Sequence, residues 1–230
     1  MRLIEQTSVH EAPYRRQGSR GSRLGRLRRL RGDKSGVALI EFAVALPVFI
    51  VLGMYGTELA YMATVNMEVS QMANSIADNA SRLGQTDNSS VTPTVTETDI
   101  DSVMTGAIEQ GSGISFEDNG RIVLSSLEVD SDTDEQYIHW QRCQGDLDED
   151  SEYGEEGDVV AEGMGQEGRR ITAPSGSAVM FAEVYYNYSG IFGDMFVGDV
   201  QFKQEAAFIV RDDRNLTPGV TGSGGQSSCS

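Results

Sequence analysis

Within the run "DKSGVALIEFAVALPVFIVLGMYGTEL", residues 33–59, three residue types stand out from an apolar background: Gly36, Glu41 and Pro47. A charged side chain held in lipid costs on the order of 3 kcal/mol, so one retained there has either a partner or a task. The alternative reading from physics alone is that Glu41 snorkels to the membrane interface and has neither. Pro47 removes one helix hydrogen bond and crowds the carbonyl of Ala43, so a kink or a loosened turn is expected there. Elsewhere the chemistry is sparse. The two histidines, His10 and His139, lie far apart, and no His/Cys/Asp grouping has metal or triad spacing. Serines lack the strand–turn–helix setting of a nucleophile elbow. Two D-x-D-x-D runs, Asp130/Asp132/Asp134 and Asp146/Asp148/Asp150, invite a calcium reading. They lack the glycine at position six and the glutamate at position twelve of a helix–loop–helix site, where Glu135/Gln141 and Ser151/Gly157 stand instead. They read as solvated charge. No catalytic residue, cofactor or metal is expected.

The elements that position these residues follow from hydrophobic period. From Phe42 to Thr57 no residue is charged, enough with its flanks for the roughly 20 residues that cross a bilayer. The apolar part then continues as a helical stripe, Met62, Val65, Val69, Met72, Ile76, Ala80 and Leu83, with polar residues between. One helix is expected over 36–84, with its transmembrane part at about 37–57. At 1.5 Å per residue it is on the order of 70 Å long, so its second half must project beyond the membrane and bury its stripe. A cleavable secretory signal would have a shorter apolar core ending in small residues.

A polar linker follows at 85–95. The next segment, 96–217, reads as an α+β domain: a short helix at about Thr96–Gln110, then four strands near 121–129, 136–143, 177–188 and 199–211. Helices followed by a run of strands imply a four-stranded antiparallel sheet. Between the second and third strands lies an acidic, glycine-rich insertion, 144–176, expected to be mobile. The last residues, 218–230, read as a flexible tail.

Charge is divided as sharply as hydropathy. Residues 1–34 hold ten Lys/Arg against three acidic residues, a net of +7, which leaves −24 for the rest of a chain whose total is −17. Basic residues before a span stay in the cytoplasm, so 1–35 is expected as a cytoplasmic arm and the acidic domain as periplasmic. That position accounts for the basic charge without nucleic acid. Two cysteines in a domain outside the cytoplasm point to a disulfide, Cys143–Cys229.

Basic residues, then Gly36, then an apolar helix with Glu41 five positions on, "KSGVALIE", resemble the site cut by prepilin peptidases in type IV pilins and pseudopilins. The longer run "GVALIEFAVALPVFIVLGMYGTELAYM", with Gly36, the Glu41–Phe42–Ala43 step, Pro47 and Glu58, resembles the TadE-like family, minor pseudopilins of the tight-adherence (Flp, type IVc) pilus apparatus. The resemblance covers about residues 31–82 and implies a pilin-like fold. It implies cleavage between Gly36 and Val37, where many pilins have Phe in place of Val37. It further implies pairing of Glu41 with the new amine of Val37 in a neighbouring subunit. The partners implied are other pilins, the assembly machinery, a prepilin peptidase and the bacterial inner membrane, with no nucleic acid or small-molecule substrate. A membrane-anchored periplasmic domain that binds an envelope partner, never entering a pilus, is the alternative. A secreted enzyme is a third.

Overall fold

The computed structural model describes residues 36–84, 92–211, 214–223, 225 and 227–229. The basic arm and linker residues 85–91 lie outside them. The chain divides into two compact units at Val51/Leu52.

Helix α1 (Val37–Ser81) runs for 45 residues and includes Pro47. In the first unit it is the described structure, and every residue of 36–51 is exposed except half-buried Ala45. In the second unit the same helix buries Val65, Val69, Met72, Ala73, Ile76, Ala77 and Ala80. Steps of three and four place these residues on one face. The helix stops at a left-handed Gly84 (φ 79°), and Arg214 donates to the carbonyls of Ala80 (3.0 Å) and Leu83 (2.6 Å). Those hydrogen bonds tie the end of α1 and the turn after it to the segment that follows β5.

Strand β1 (Val95–Thr96) leads into α2 (Glu97–Gln110). Thr96 accepts from the Asp99 N–H while Asp99 accepts from the Thr96 N–H, a reciprocal cap. A 3₁₀ turn (Gly111–Ile114) and α3 (Phe116–Asn119) then bring the chain into the sheet. Strands β2 (Gly120–Val129), β3 (Gln136–Gln144), β4 (Val179–Tyr188) and β5 (Val200–Ile209) stand in the order β3-β2-β4-β5 with every pair antiparallel. The long helix, short helix and four-stranded antiparallel sheet are the α+β class expected from the sequence. Ile122, Leu124, Met180, Val184 and Tyr186 face α1 and α2 in one core.

The other face of the sheet is covered too. Leu127, Ile138, Val179 and Phe181 pack with Met164 and Ala173, which belong to the insertion. The central strands are therefore buried on both sides, while β3 and β5 are edges. Insertion and tail run along β3: Ile138 N–H donates to Asp158, Val160 N–H to Gln136, and Cys143 N–H to Ser227. Strand β6 (Val220–Thr221) pairs in parallel with β1. Composition alone leaves 144–176 mobile and 218–230 flexible. In the structure the described residues of both segments exchange backbone hydrogen bonds with the edge of the sheet, Asp158 and Ser227 accepting through their carbonyls and Val160 donating through its N–H.

A second departure is local. Register shifts at Ser126/Leu127, so Ser126 faces Trp140, Leu127 faces Ile138, and His139 is the extra residue. Such a bulge re-aims a side chain. Here it turns His139 Nδ1 onto Glu128 (2.9 Å).

Candidate functional site

In the first unit the peptide Gly36–Val37 opens α1. The first turn closes when Ile40 N–H donates to the Gly36 carbonyl (3.2 Å). Val37 is half-exposed. Glu41 is exposed and lies with Ile40, Val44, Ala45, Val48 and Phe49 on one continuous groove of the helix surface. The spacing is that of neighbouring turns, so one carboxylate sits on an otherwise apolar strip. Pro47 lies inside the helix. Helix α1 is long and apolar enough to cross a membrane, and none of its most apolar 18-residue window is buried.

The first polar residues after Pro47 are satisfied within the chain. Thr57 donates back to the Gly53 carbonyl (2.9 Å). Glu58, one step before Met62 on the buried stripe, has no exposed surface. The Tyr188 hydroxyl donates to its Oε1 (2.5 Å), and the Phe192 N–H donates to its Oε2 (3.1 Å). Burial, then the bond to Glu58, pushes the Tyr188 hydroxyl well above its ordinary pKa, so it stays a donor. Gly190 closes the arrangement, because a Cβ there would collide with the Glu58 carboxylate. Sequence reasoning reached Glu58 as a mark of resemblance and missed its burial. The signal was available: 58, 62, 65, 69 and 72 are one helical stripe.

On the outer face of the sheet, buried Glu183 accepts from Ser151 (2.5 Å), Tyr185 (2.7 Å) and the Glu152 N–H (3.2 Å). Lys203 stands 2.7 Å from Glu152 and Glu205 and 3.4 Å from Glu183. Burial opposes its charge, yet these carboxylates outweigh burial and hold its pKa above the usual lysine value. Tyr153 donates to Glu205 (2.6 Å). A cleft of about 880 Å³ lies beside this network. Its lysine is already matched by three carboxylates, so the network fastens the insertion to the sheet.

Cys143 and Cys229 are joined, with Cα atoms 4.7 Å apart. His139, expected to have no catalytic partner, faces Glu128, itself bonded to Ser126 (2.7 Å). Asp130 uses its carboxylate to accept from the N–H groups of Asp132 and Thr133, which shapes the β2–β3 turn and holds its pKa below the usual value. Among the described residues no group of three or more His, Cys, Asp or Glu side chains has metal-holding geometry.

Among the described residues, α1 is thus the one helix long and apolar enough to cross a membrane. Residues 36–78 match the model of the family described as TadE-like protein, the family that the Gly36, Glu41, Pro47 and Glu58 pattern resembles. The match ends within α1 and covers neither the sheet nor its insertion. No curated protein and no solved structure matches this chain.

Proposed function

We propose that this chain is a non-catalytic TadE-like pseudopilin of a tight-adherence pilus assembly or secretion system. In this reading it is anchored in the bacterial inner membrane by residues 37–57, with its basic arm cytoplasmic and its acidic domain periplasmic. The observation that carries the reading is a coincidence of position. The family match begins at Gly36 and contains the uncovered apolar part of α1, with Glu41 on its surface. A prepilin peptidase would cut between Gly36 and Val37. The freed amine of Val37 and Glu41 of a neighbouring subunit would then pair in a low-dielectric setting, where attraction is weakly screened. Pro47, lacking a donor to Ala43, would supply a point of bend as the helix leaves the membrane. Other pilins and the assembly machinery are the partners; no nucleic acid, cofactor or small-molecule substrate is called for.

The test pairs processing with docking. Mass spectrometry of the membrane-extracted protein is expected to find a mature chain beginning at Val37. Glu41→Gln is expected to insert and be cleaved normally while piliation or surface adherence falls sharply. Cleaved Glu41→Gln that supports full piliation would overturn the docking role. An uncut chain in cells with active peptidase would leave an anchored envelope domain.

A further inference from the structure

Helix α1 and the β4–β5 connection meet at a group of aromatic and apolar side chains that the assembly reading does not use. The Tyr55 ring packs against Phe196 (centroids 5.9 Å apart), and Phe196 packs edge-on against Phe192 (5.9 Å). Beside them Met195 is 69% exposed and Ile191 is 51% exposed. The connection is held by Glu58 through the Phe192 N–H and by the close approach of Gly190. It is a shaped loop, including a 3₁₀ turn at Gly193–Met195.

We propose that the loop Gly190–Val197 is a membrane-interface contact that seats the domain on a phospholipid surface. The proposal rests on the reading that residues 37–57 cross the bilayer. Twenty-one helical residues rise about 30 Å, the thickness of the hydrocarbon core, which puts Tyr55 near its outer edge. Side chains packed against Tyr55 share that level, and the exposed ones beside them meet lipid. Aromatic rings are favoured at this depth, and an apolar surface sinks roughly 5–10 Å into the headgroup boundary. Between Tyr188 and Val200 the loop carries no Lys or Arg, only Asp194 and Asp199 as charges. Its attraction is therefore to apolar acyl chains, and it requires no anionic headgroups. Glu58 acts as a positioning residue, holding the loop against the helix where the apolar run ends.

The test uses the full chain, reconstituted in phosphatidylcholine vesicles whose acyl chains are brominated near the headgroup end. Single tryptophans replace Met195, Val48 or Val159 in a Trp140→Phe background. Met195→Trp is expected to emit at shorter wavelength than in water and to lose emission to the brominated lipid, because an interfacial side chain sits at the depth of those bromines. Val159→Trp, on the exposed insertion, is expected to be unaffected. Val48→Trp, read with mid-chain bromines, reports the span itself. Quenching at Val48 without quenching at Met195 overturns the loop contact and leaves the span standing. No quenching at Val48 removes the span and this inference with it. A blue-shifted Met195→Trp that no brominated lipid quenches means a protein covers the loop, and also overturns the proposal. Should Trp140→Phe impair folding, the same substitutions in the parent chain are read as quenching beyond that of buried Trp140.

Discussion

Two halves of one helix meet opposite fates. Residues 37–51 of α1 are apolar apart from Glu41 and none of them is buried, while the stretch from Glu58 to Ser81 places nine residues in the interior of its own unit. The second half is the less hydrophobic of the two, interrupted by Glu68, Gln71, Asn74 and Asp78. Overall apolarity therefore does not decide what a helix packs on. A stripe with polar flanks fits a single sheet and leaves a face for water. A helix apolar all round has no face to give to water, and it needs lipid or other helices on every side.

The comparison can be tested from several directions. The largest effect should come from the domain's covalent closure. Cys143→Ser with Cys229→Ser opens a loop of sequence separation 86, and in the chain-entropy model it lowers stability by about 4–5 kcal/mol. Denaturant unfolding in detergent would read this as a lower midpoint, with membrane insertion unchanged. A loss below about 1 kcal/mol would mean that β6 and Ser227 already close the loop.

The sharpest contrast uses one substitution in both halves. Ile76→Ala, at a site 1% exposed, should cost about 2–5 kcal/mol through lost burial and a cavity. Ile50→Ala, at a site 51% exposed, should leave domain unfolding within about 0.5 kcal/mol of the parent. Equal effects would erase the distinction between the halves.

The boundary is set by Glu58. Glu58→Ala strands the Tyr188 hydroxyl and the Phe192 N–H, at a cost of about 1–3 kcal/mol. Glu58→Gln keeps a carbonyl acceptor and should lose less. An unfolding midpoint unchanged by Glu58→Ala would mean water replaces the carboxylate at no cost.

The smallest effect is a pH dependence confined to the domain. The hydrogen bond to Glu128, opposed by partial burial, raises the His139 pKa above its ordinary 6.5. Its stabilising contribution is thus complete below about pH 6.5 and is lost as pH rises through the folded pKa. Unfolding midpoints taken across this range should decline slightly, and Glu128→Gln should flatten the decline. A slope of opposite sign would place His139 in a site that disfavours its charge.

Much of this was legible without coordinates. The period of 3.6 from Met62 to Leu83 specified a helix and its buried face, and β-branched, aromatic runs specified four strands within about two residues of their ends. The resemblance to the TadE-like family, carried by Gly36, Glu41, Pro47 and Glu58, agrees with the family match over residues 36–78. These signals are local, since each rests on residues a turn or a strand apart.

The contacts of the insertion and the tail, and the partners of Glu58, were not legible in the same way. "DLDEDSEYGEEG" has the composition of a solvated loop, yet Tyr153 of this run packs edge-on against Phe181 (5.3 Å) and its neighbour Glu152 meets Lys203. Ser227 and Cys229 reach β3 across more than 80 residues. Glu58 reads as a charge until Tyr188, 130 positions away, supplies a hydroxyl. Composition and period determined which segments form helix and strand, because those preferences arise within a few residues. Only the tertiary structure decided which polar groups go inside, because a buried carboxylate or backbone amide is tolerated only where a distant partner replaces the water it loses.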